Sequence, residues 1–115
     1  MIIIYVSLVI NIVVAGFWGV VLFSNTFPRL SHVFGKDTAG LRILSSLYLS
    51  IAIVSLFALI QQEYIIPIAY TLFSLQVVYK ILSVFSVRNV KNPVVISNVV
   101  IAGIHCASLY TLYTM

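Results

Sequence analysis

The chain has very few charged residues, and almost none of them are acidic. Of its 115 residues only 7% are charged, with two Asp or Glu against six Lys or Arg. Soluble domains are usually about a quarter charged, so a fraction this low excludes an ordinary soluble domain. The 63% of hydrophobic residues and the mean hydropathy of +1.21 indicate a polytopic membrane protein instead.

The residue sets that common enzyme sites require are also missing. Cys106 is the single cysteine, so no disulfide can form within the chain. Cys106 and the adjacent His105 point about 100° apart on a helix, and His32 lies in a loop, so we expect no metal site. Glycine-rich phosphate loops, paired carboxylates and nucleophile–base arrangements are absent from the sequence. We therefore predict that the chain is not an enzyme and uses no cofactor.

Four apolar runs account for most of the chain, at residues 2–23, 41–60, 65–87 and 94–113. Each is long enough to cross a membrane, because a spanning helix needs about 20 apolar residues. We predict an all-α integral membrane four-helix bundle, with residues 1–115 forming a single transmembrane domain. The first run is too long for a signal peptide, and no small-residue cleavage pattern follows it. Pro67 falls in the first turn of the third run and Pro93 at the entrance of the fourth, positions where neither should kink its helix.

The basic residues all fall on one side of this four-helix plan. They lie in or near the first and third connections: Arg29, Lys36, Arg42, Lys80, Arg88 and Lys91. Because short loops rich in Lys and Arg stay cytoplasmic, we predict that loops 24–40 and 88–93 are cytoplasmic and that both termini face out. This is the pattern of a multi-pass protein of an inner, cytoplasmic membrane. The cations lie beside membrane segments, so we expect them to contact lipid head groups and not nucleic acid.

The first connection has the pattern of a short interfacial helix. Asn25 or Thr26 can cap it, Pro28 suits its first turn, and Gly35 would end it. In the simpler interpretation this helix anchors the chain at the membrane surface. In the alternative it is a docking site for a partner or an anionic lipid, with Arg29, His32, Lys36 and Arg42 as the contacts.

Ionisable residues inside the predicted helices are rare, and such a residue indicates a functional site by default. Lys80 lies about 10 Å inside the cytoplasmic boundary, with Gln76 one turn earlier. No predicted helix contains a carboxylate, so Lys80 either snorkels to the head groups, meets a partner subunit or faces a polar interior. Near the middle of the fourth helix, His105 shares a face with Asn98. Either they form structural hydrogen bonds between helices, or they serve in a proton relay or ligand contact.

The depths of these residues predict a polar pocket that opens toward the cytoplasm. Its candidate residues are Lys80, Gln76, Asn98, His105, Ser46 and Ser50. Such a pocket would suit an anion or a polar head group. We expect Asn11, in the outer half of the first helix, to be remote from it.

Small residues one helical turn apart predict that the helices pack closely. The pairs are Ala15 with Gly19, Ser46 with Ser50, and Gly103 with Ala107. An aromatic belt is expected at the outer interface, formed by Tyr5, Tyr64, Tyr110 and Tyr113.

Two family resemblances bear on function. Residues 68–74 resemble part of the third helix of the small multidrug resistance exporters, but the first helix lacks the glutamate that those transporters require. More broadly, an apolar first helix and a Pro-containing loop precede Leu41-Arg42, a helix with Tyr48, and a third helix with a basic residue near its inner end. This plan resembles small bacterial four-helix proteins of the BphX and DoxX-like kind, many of which would have Arg in place of Lys80. The resemblance implies architecture and an accessory role, and it carries over no catalytic residue.

These observations together predict a non-catalytic accessory or interaction subunit of a membrane assembly. Its expected partners are membrane lipids and either other membrane subunits or further copies of the chain. The alternative is a small transporter or channel for a small or lipophilic solute, with the polar pocket facing the cytoplasm.

Overall fold

The computed structural model describes residues 2–24, 39–88 and 91–115, and within them the fold is helical. The first helix consists of α-helical Ile2–Ile10 and Gly16–Ser24, joined by a π-helical turn at Asn11–Ala15. The second helix is Ala39–Ile60, the third Ile65–Val87 and the fourth Pro93–Thr114, with a 3-10 turn at Gln62–Tyr64 between the second and third. The four predicted helices are confirmed, with boundaries within two residues of those expected.

Each of the four helices is long and apolar enough to cross a membrane. A helix of 22 residues, such as the second, rises about 33 Å, and the hydrocarbon core of a bilayer is about 30 Å thick. Large apolar side chains are exposed on every helix, for example Val13, Ile53, Leu75 and Val100. Such a surface is unfavourable in water and suits contact with lipid chains. The chain is therefore described as a multi-pass membrane protein.

Local sequence signals account for the helix ends around residue 90. The third helix ends at Val87, and the following residue, Arg88, has the left-handed conformation common after helix C-termini, with a φ of 59°. At the start of the fourth helix, the Asn92 side chain accepts a hydrogen bond of 2.9 Å from the Val94 N–H. Pro93 occupies the first helical position, where no backbone donor is needed. We call the end of the bundle that carries Arg42, Arg88 and Lys91 the basic end.

Most of the predicted interfacial helix lies outside the described residues, as do Arg29, His32 and Lys36. Arg42 is described, and its guanidinium donates a hydrogen bond of 3.0 Å to the Phe23 carbonyl oxygen. It thereby satisfies one of the last carbonyls of the first helix, which have no partner within the helix itself. Arg42 thus ties the basic ends of the first two helices together.

The helices pack in the order second, first, fourth, third. The first helix lies against both the second and the fourth, and the third packs mainly on the fourth. The second and third helices contact each other much less, although they are neighbours in sequence. The bundle is therefore closed on three sides and open between the second and third helices.

Glycine allows the closest approach of the first two helices. A Cβ atom at Gly19 would lie 2.9 Å from the backbone nitrogen of Leu49, so even alanine does not fit without a backbone shift. One turn earlier, Ala15 is buried in the apolar core. The fourth helix differs, because Gly103 and Ala107 are exposed and no atom lies within 4 Å of a Cβ built on Gly103. That pair makes no close helix contact among the described residues.

Candidate functional site

Polar side chains occupy the interior of the bundle in two groups at different depths. The His105 cluster comprises Ser7, Asn11, Ser55, His105 and Ser108. The Lys80 cluster comprises Gln76, Tyr79, Lys80, Ser83 and Asn98. On the fourth helix Asn98 precedes His105 by seven residues, which places the Lys80 cluster about 10 Å closer to the basic end.

The His105 cluster joins three helices through hydrogen bonds. The Asn11 amide nitrogen donates to Ser55 Oγ at 3.1 Å, and Asn11 Oδ1 lies 3.0 Å from His105 Nε2. Because an amide oxygen only accepts, Nε2 must carry the hydrogen. Ser7 and Ser108 pair through their hydroxyls at 2.5 Å, and Ser108 also donates to the Ile3 carbonyl oxygen at 3.1 Å. These bonds tie the first helix to the second and the fourth.

The third helix meets the same cluster through an aromatic contact. The Phe73 ring stacks on the His105 ring, with centroids 4.7 Å apart and an interplanar angle of 8°. Both side chains are fully buried. His105 Nδ1 makes no hydrogen bond. Each of the other residues of the cluster is hydrogen-bonded to another member of it. All four helices therefore converge on His105, as expected of a structural element that sets helix rotation.

The expectation that Asn11 is remote from these residues is wrong, since it bonds directly to His105. Its depth was estimated by counting residues from the predicted helix ends. Asn11 and His105 both lie near the middle of their helices, where a small error in that count moves a residue from one half of the membrane to the other. The spacing held a usable signal, because Ser7 and Asn11 are four residues apart on one helical face. Ser108, three residues after His105, continues the polar face of the fourth helix in the same way.

The Lys80 cluster is buried but less completely bonded. Lys80 is 4% exposed, and its ammonium donates to Asn98 Oδ1 at 3.2 Å and lies 4.9 Å from the centre of the Tyr79 ring. Asn98 in turn donates to Ser83 Oγ at 3.2 Å. Gln76 Nε2 and the Tyr79 hydroxyl are buried without a hydrogen-bond partner. The Lys80 side chain therefore points into the bundle and does not extend to the head groups.

No carboxylate neutralises this ammonium within the described residues. Glu63, the one acidic side chain described, lies in the connection at the opposite end of the third helix. Glu63 and Lys80 are 17 positions apart in the chain, or about 25 Å of helix rise. Asn98 supplies only a neutral acceptor, and an ammonium has three hydrogens to donate.

Two cavities adjoin the Lys80 cluster. One is an enclosed space of about 10 Å³, bordered by Gln76, Lys80 and Asn98 and by Trp18 of the first helix, with room for about one water molecule. The other has a volume of about 250 Å³ and lies between the second, third and fourth helices toward the basic end. It is lined by Leu44, Tyr48, Tyr79, Ser83, Val87, Asn92, Val94, Val95 and Asn98. Tyr48, Val94 and Asn98 border both cavities. Lys80 lines the small space and not the larger cavity, but it contacts Tyr79 and Asn98, which line the larger one.

Of the six residues predicted for the pocket, the structure brings Lys80, Gln76 and Asn98 together. His105 belongs to the neighbouring cluster, about 10 Å farther from the basic end. Ser46 and Ser50 belong to neither cluster. These serines are exposed on the second helix, and their hydroxyls donate to the carbonyl oxygens of Arg42 and Ser46, respectively. Tyr48, named from the sequence only as part of a family resemblance and not as a pocket residue, occupies the buried position between them and lines both cavities. Within the described ranges, no three His, Cys, Asp or Glu residues converge as a metal site requires.

Comparison with protein-family models, curated proteins and solved structures finds no match to this chain.

Proposed function

We propose that this chain is a small non-catalytic membrane protein that binds a small solute in the cavity beside Lys80, as a carrier does. The observation that supports this most directly is a buried ammonium whose partners are a neutral amide oxygen and an aromatic ring. Moving a charge out of water costs several kcal/mol unless it gains good partners. A bound solute with an acceptor group would supply them.

The contrast between the two clusters also supports a binding role for one of them. The His105 cluster directs its bonds between helices, so its polar groups have a structural use. In the Lys80 cluster, the Gln76 amide and the Tyr79 hydroxyl are buried donors without acceptors. Such groups cost about 1–3 kcal/mol each when left unpaired. The small enclosed space beside Gln76 has room for about one water molecule, whereas Tyr79 borders the larger cavity, so the retention of its hydroxyl favours a ligand there.

The bundle interior is filled on the side of Lys80 that faces away from the basic end, and this favours a binding protein or carrier over an open channel. The Phe73–His105 stack and the hydrogen bonds of Asn11 fill the interior at the next level. The larger cavity therefore lies on one side of the His105 cluster, the side of the basic end. A carrier would have to rearrange the His105 cluster to release its solute on the other side.

The experiment is a binding measurement on purified protein in phosphatidylcholine nanodiscs with three labelled probes: inorganic phosphate, butyrate and hexadecanoate. Lys80→Met keeps the side-chain length and removes the charge. Ser46→Ala is the matched control, because Ser46 is exposed and bonds only its own helix. We expect at least one probe to bind wild type and Ser46→Ala equally and Lys80→Met about tenfold more weakly or worse. If no probe shows a difference that depends on Lys80, the proposal is wrong.

The role of accessory or interaction subunit stays a prediction, and one surface favours it. Gly103 and Ala107 are exposed one turn apart on the fourth helix, where a neighbouring helix could approach closely. Native mass spectrometry in mild detergent would test this. Gly103→Ile should release a stoichiometric partner or second copy if this surface holds it, and a monomer in the wild type would count against the role.

A further inference from the structure

The opening between the second and third helices contains a second, apolar space. This groove has a volume of about 570 Å³ and lies nearer the end opposite the basic end. It is lined by Val54, Phe57, Tyr64, Pro67, Ile68, Thr71, Leu72 and Leu75. An apolar groove inside a bilayer needs no partner of its own, because lipid chains cover it as well as a protein would. Its position relative to the Lys80 cluster is what identifies an occupant.

The groove and the larger cavity are lined by successive parts of the second and third helices. On the third helix the groove ends at Leu75 and the cavity begins at Tyr79, which are four residues or about 6 Å apart. On the second helix the corresponding residues are Val54 and Tyr48. The groove is almost entirely apolar, whereas the larger cavity, although its surface is also mostly apolar, includes the polar side chains of Ser83, Asn92 and Asn98 and lies next to the Lys80 cluster.

This division matches the two parts of an amphiphile. An anionic head group in the larger cavity would lie against Tyr79 and Asn98, the two residues that the Lys80 ammonium contacts, so its charge would be one side chain away from that ammonium. The attached hydrocarbon chain would run past Leu75 into the groove. The ligand would reach the cavity sideways from the bilayer, because the opening lies between helices that pack little on each other.

We propose that the solute is an amphiphile with one anionic head group and a hydrocarbon chain, held with its head at Lys80 and its chain between the second and third helices. This inference rests on the proposed function, because it names the class of ligand for the same cavity. A long-chain carboxylate and a long-chain phosphate share the required chemistry. A water-soluble anion would occupy the larger cavity alone and leave the groove to lipid.

The test adds a pair of variants on the third helix to the nanodisc binding measurement. Leu75 and Leu82 are 58% and 59% exposed, but only Leu75 lines the groove, and Leu82 lines neither the groove nor the described cavities. Leu75→Trp should obstruct the chain and Leu82→Trp should not. The probes are hexadecanoate, hexadecyl phosphate, butyrate and inorganic phosphate, each measured as excess binding over empty nanodiscs.

We expect both long-chain probes to bind wild type and Leu82→Trp alike, and to bind Leu75→Trp and Lys80→Met about tenfold more weakly or worse. Preference for one long-chain probe identifies its head group as carboxylate or phosphate and supports the inference equally. If butyrate or inorganic phosphate binds in a way that depends on Lys80 and Leu75→Trp has no effect on any probe, the inference of an amphiphilic ligand is wrong and the proposed function is supported. If no probe depends on Lys80, both proposals fail. Far-ultraviolet circular dichroism and retained yield of each variant guard against misfolding.

Discussion

Adding one methyl group at Gly19 should measurably destabilise the bundle. The new Cβ atom would lie 2.9 Å from the Leu49 backbone nitrogen, and ordinary contacts begin at 3.4 Å, so the helices must separate by about 0.5 Å. Overpacking of this kind costs about 1–3 kcal/mol. The higher helix propensity of alanine offsets little of it, because a helix within the membrane keeps its hydrogen bonds when the bundle comes apart. We expect Gly19→Ala to lower the free energy of unfolding by about 1–2 kcal/mol.

Gly103→Ala is the matched control, since no atom lies within 4 Å of its added Cβ. Reversible unfolding in mixed micelles of mild detergent and dodecyl sulfate measures both variants, and Gly103→Ala should change stability by less than about 0.5 kcal/mol. Equal effects of the two substitutions would refute the close contact. The added Cβ would also lie 2.8 Å from Leu49 Cγ, so adding Leu49→Ala to Gly19→Ala removes that side-chain clash but leaves the clash with the backbone. Full rescue by that double variant would therefore also contradict the reasoning.

Two further predictions concern the polar interior and the orientation. Asn11→Ala and His105→Ala should each destabilise the bundle, and a double-mutant cycle should give a coupling energy of about 1 kcal/mol, whereas additive effects would mean that their hydrogen bond contributes nothing. For orientation, single cysteines replacing Glu63 or Lys91 in a Cys106→Ser background are exposed to a membrane-impermeant maleimide on intact cells. The cysteine at position 63 should react and the one at position 91 should not, and the opposite pattern would overturn the orientation inferred from loop charge.

The helices were predictable because the signals that define them are local. A run of about 20 apolar residues is read directly from the sequence, and a turn signal such as Pro93 after Asn92 places a helix start within a residue. The association of Lys80, Gln76 and Asn98 was also predictable. Gln76 and Lys80 share one face of the third helix, and polar side chains at similar depth avoid lipid by facing the interior.

Helix rotation and helix pairing were not accessible in the same way. Ser46 and Ser50 were expected in the pocket, but a hydroxyl can satisfy itself on a carbonyl of its own helix, so these serines need not face inward. Asn11 was excluded by depth, yet its amide bonds to His105 across the bundle. The error on the serines arises because depth along a helix carries no information about rotation around its axis. The error on Asn11 arises because depth is uncertain by a few residues for side chains near the middle of a helix.

Hydropathy and loop charge are properties of short segments, so the amino-acid order alone established four membrane helices and an expected orientation. The pairing of Asn11 with His105, and the opening between the second and third helices, depend on which helices are neighbours. Neighbours are selected by contacts such as Gly19 against Leu49, between residues 30 positions apart in the chain. The candidate site forms where the arrangement of neighbouring helices encloses Lys80, so its position is determined by the folded bundle and not by the sequence of any one helix.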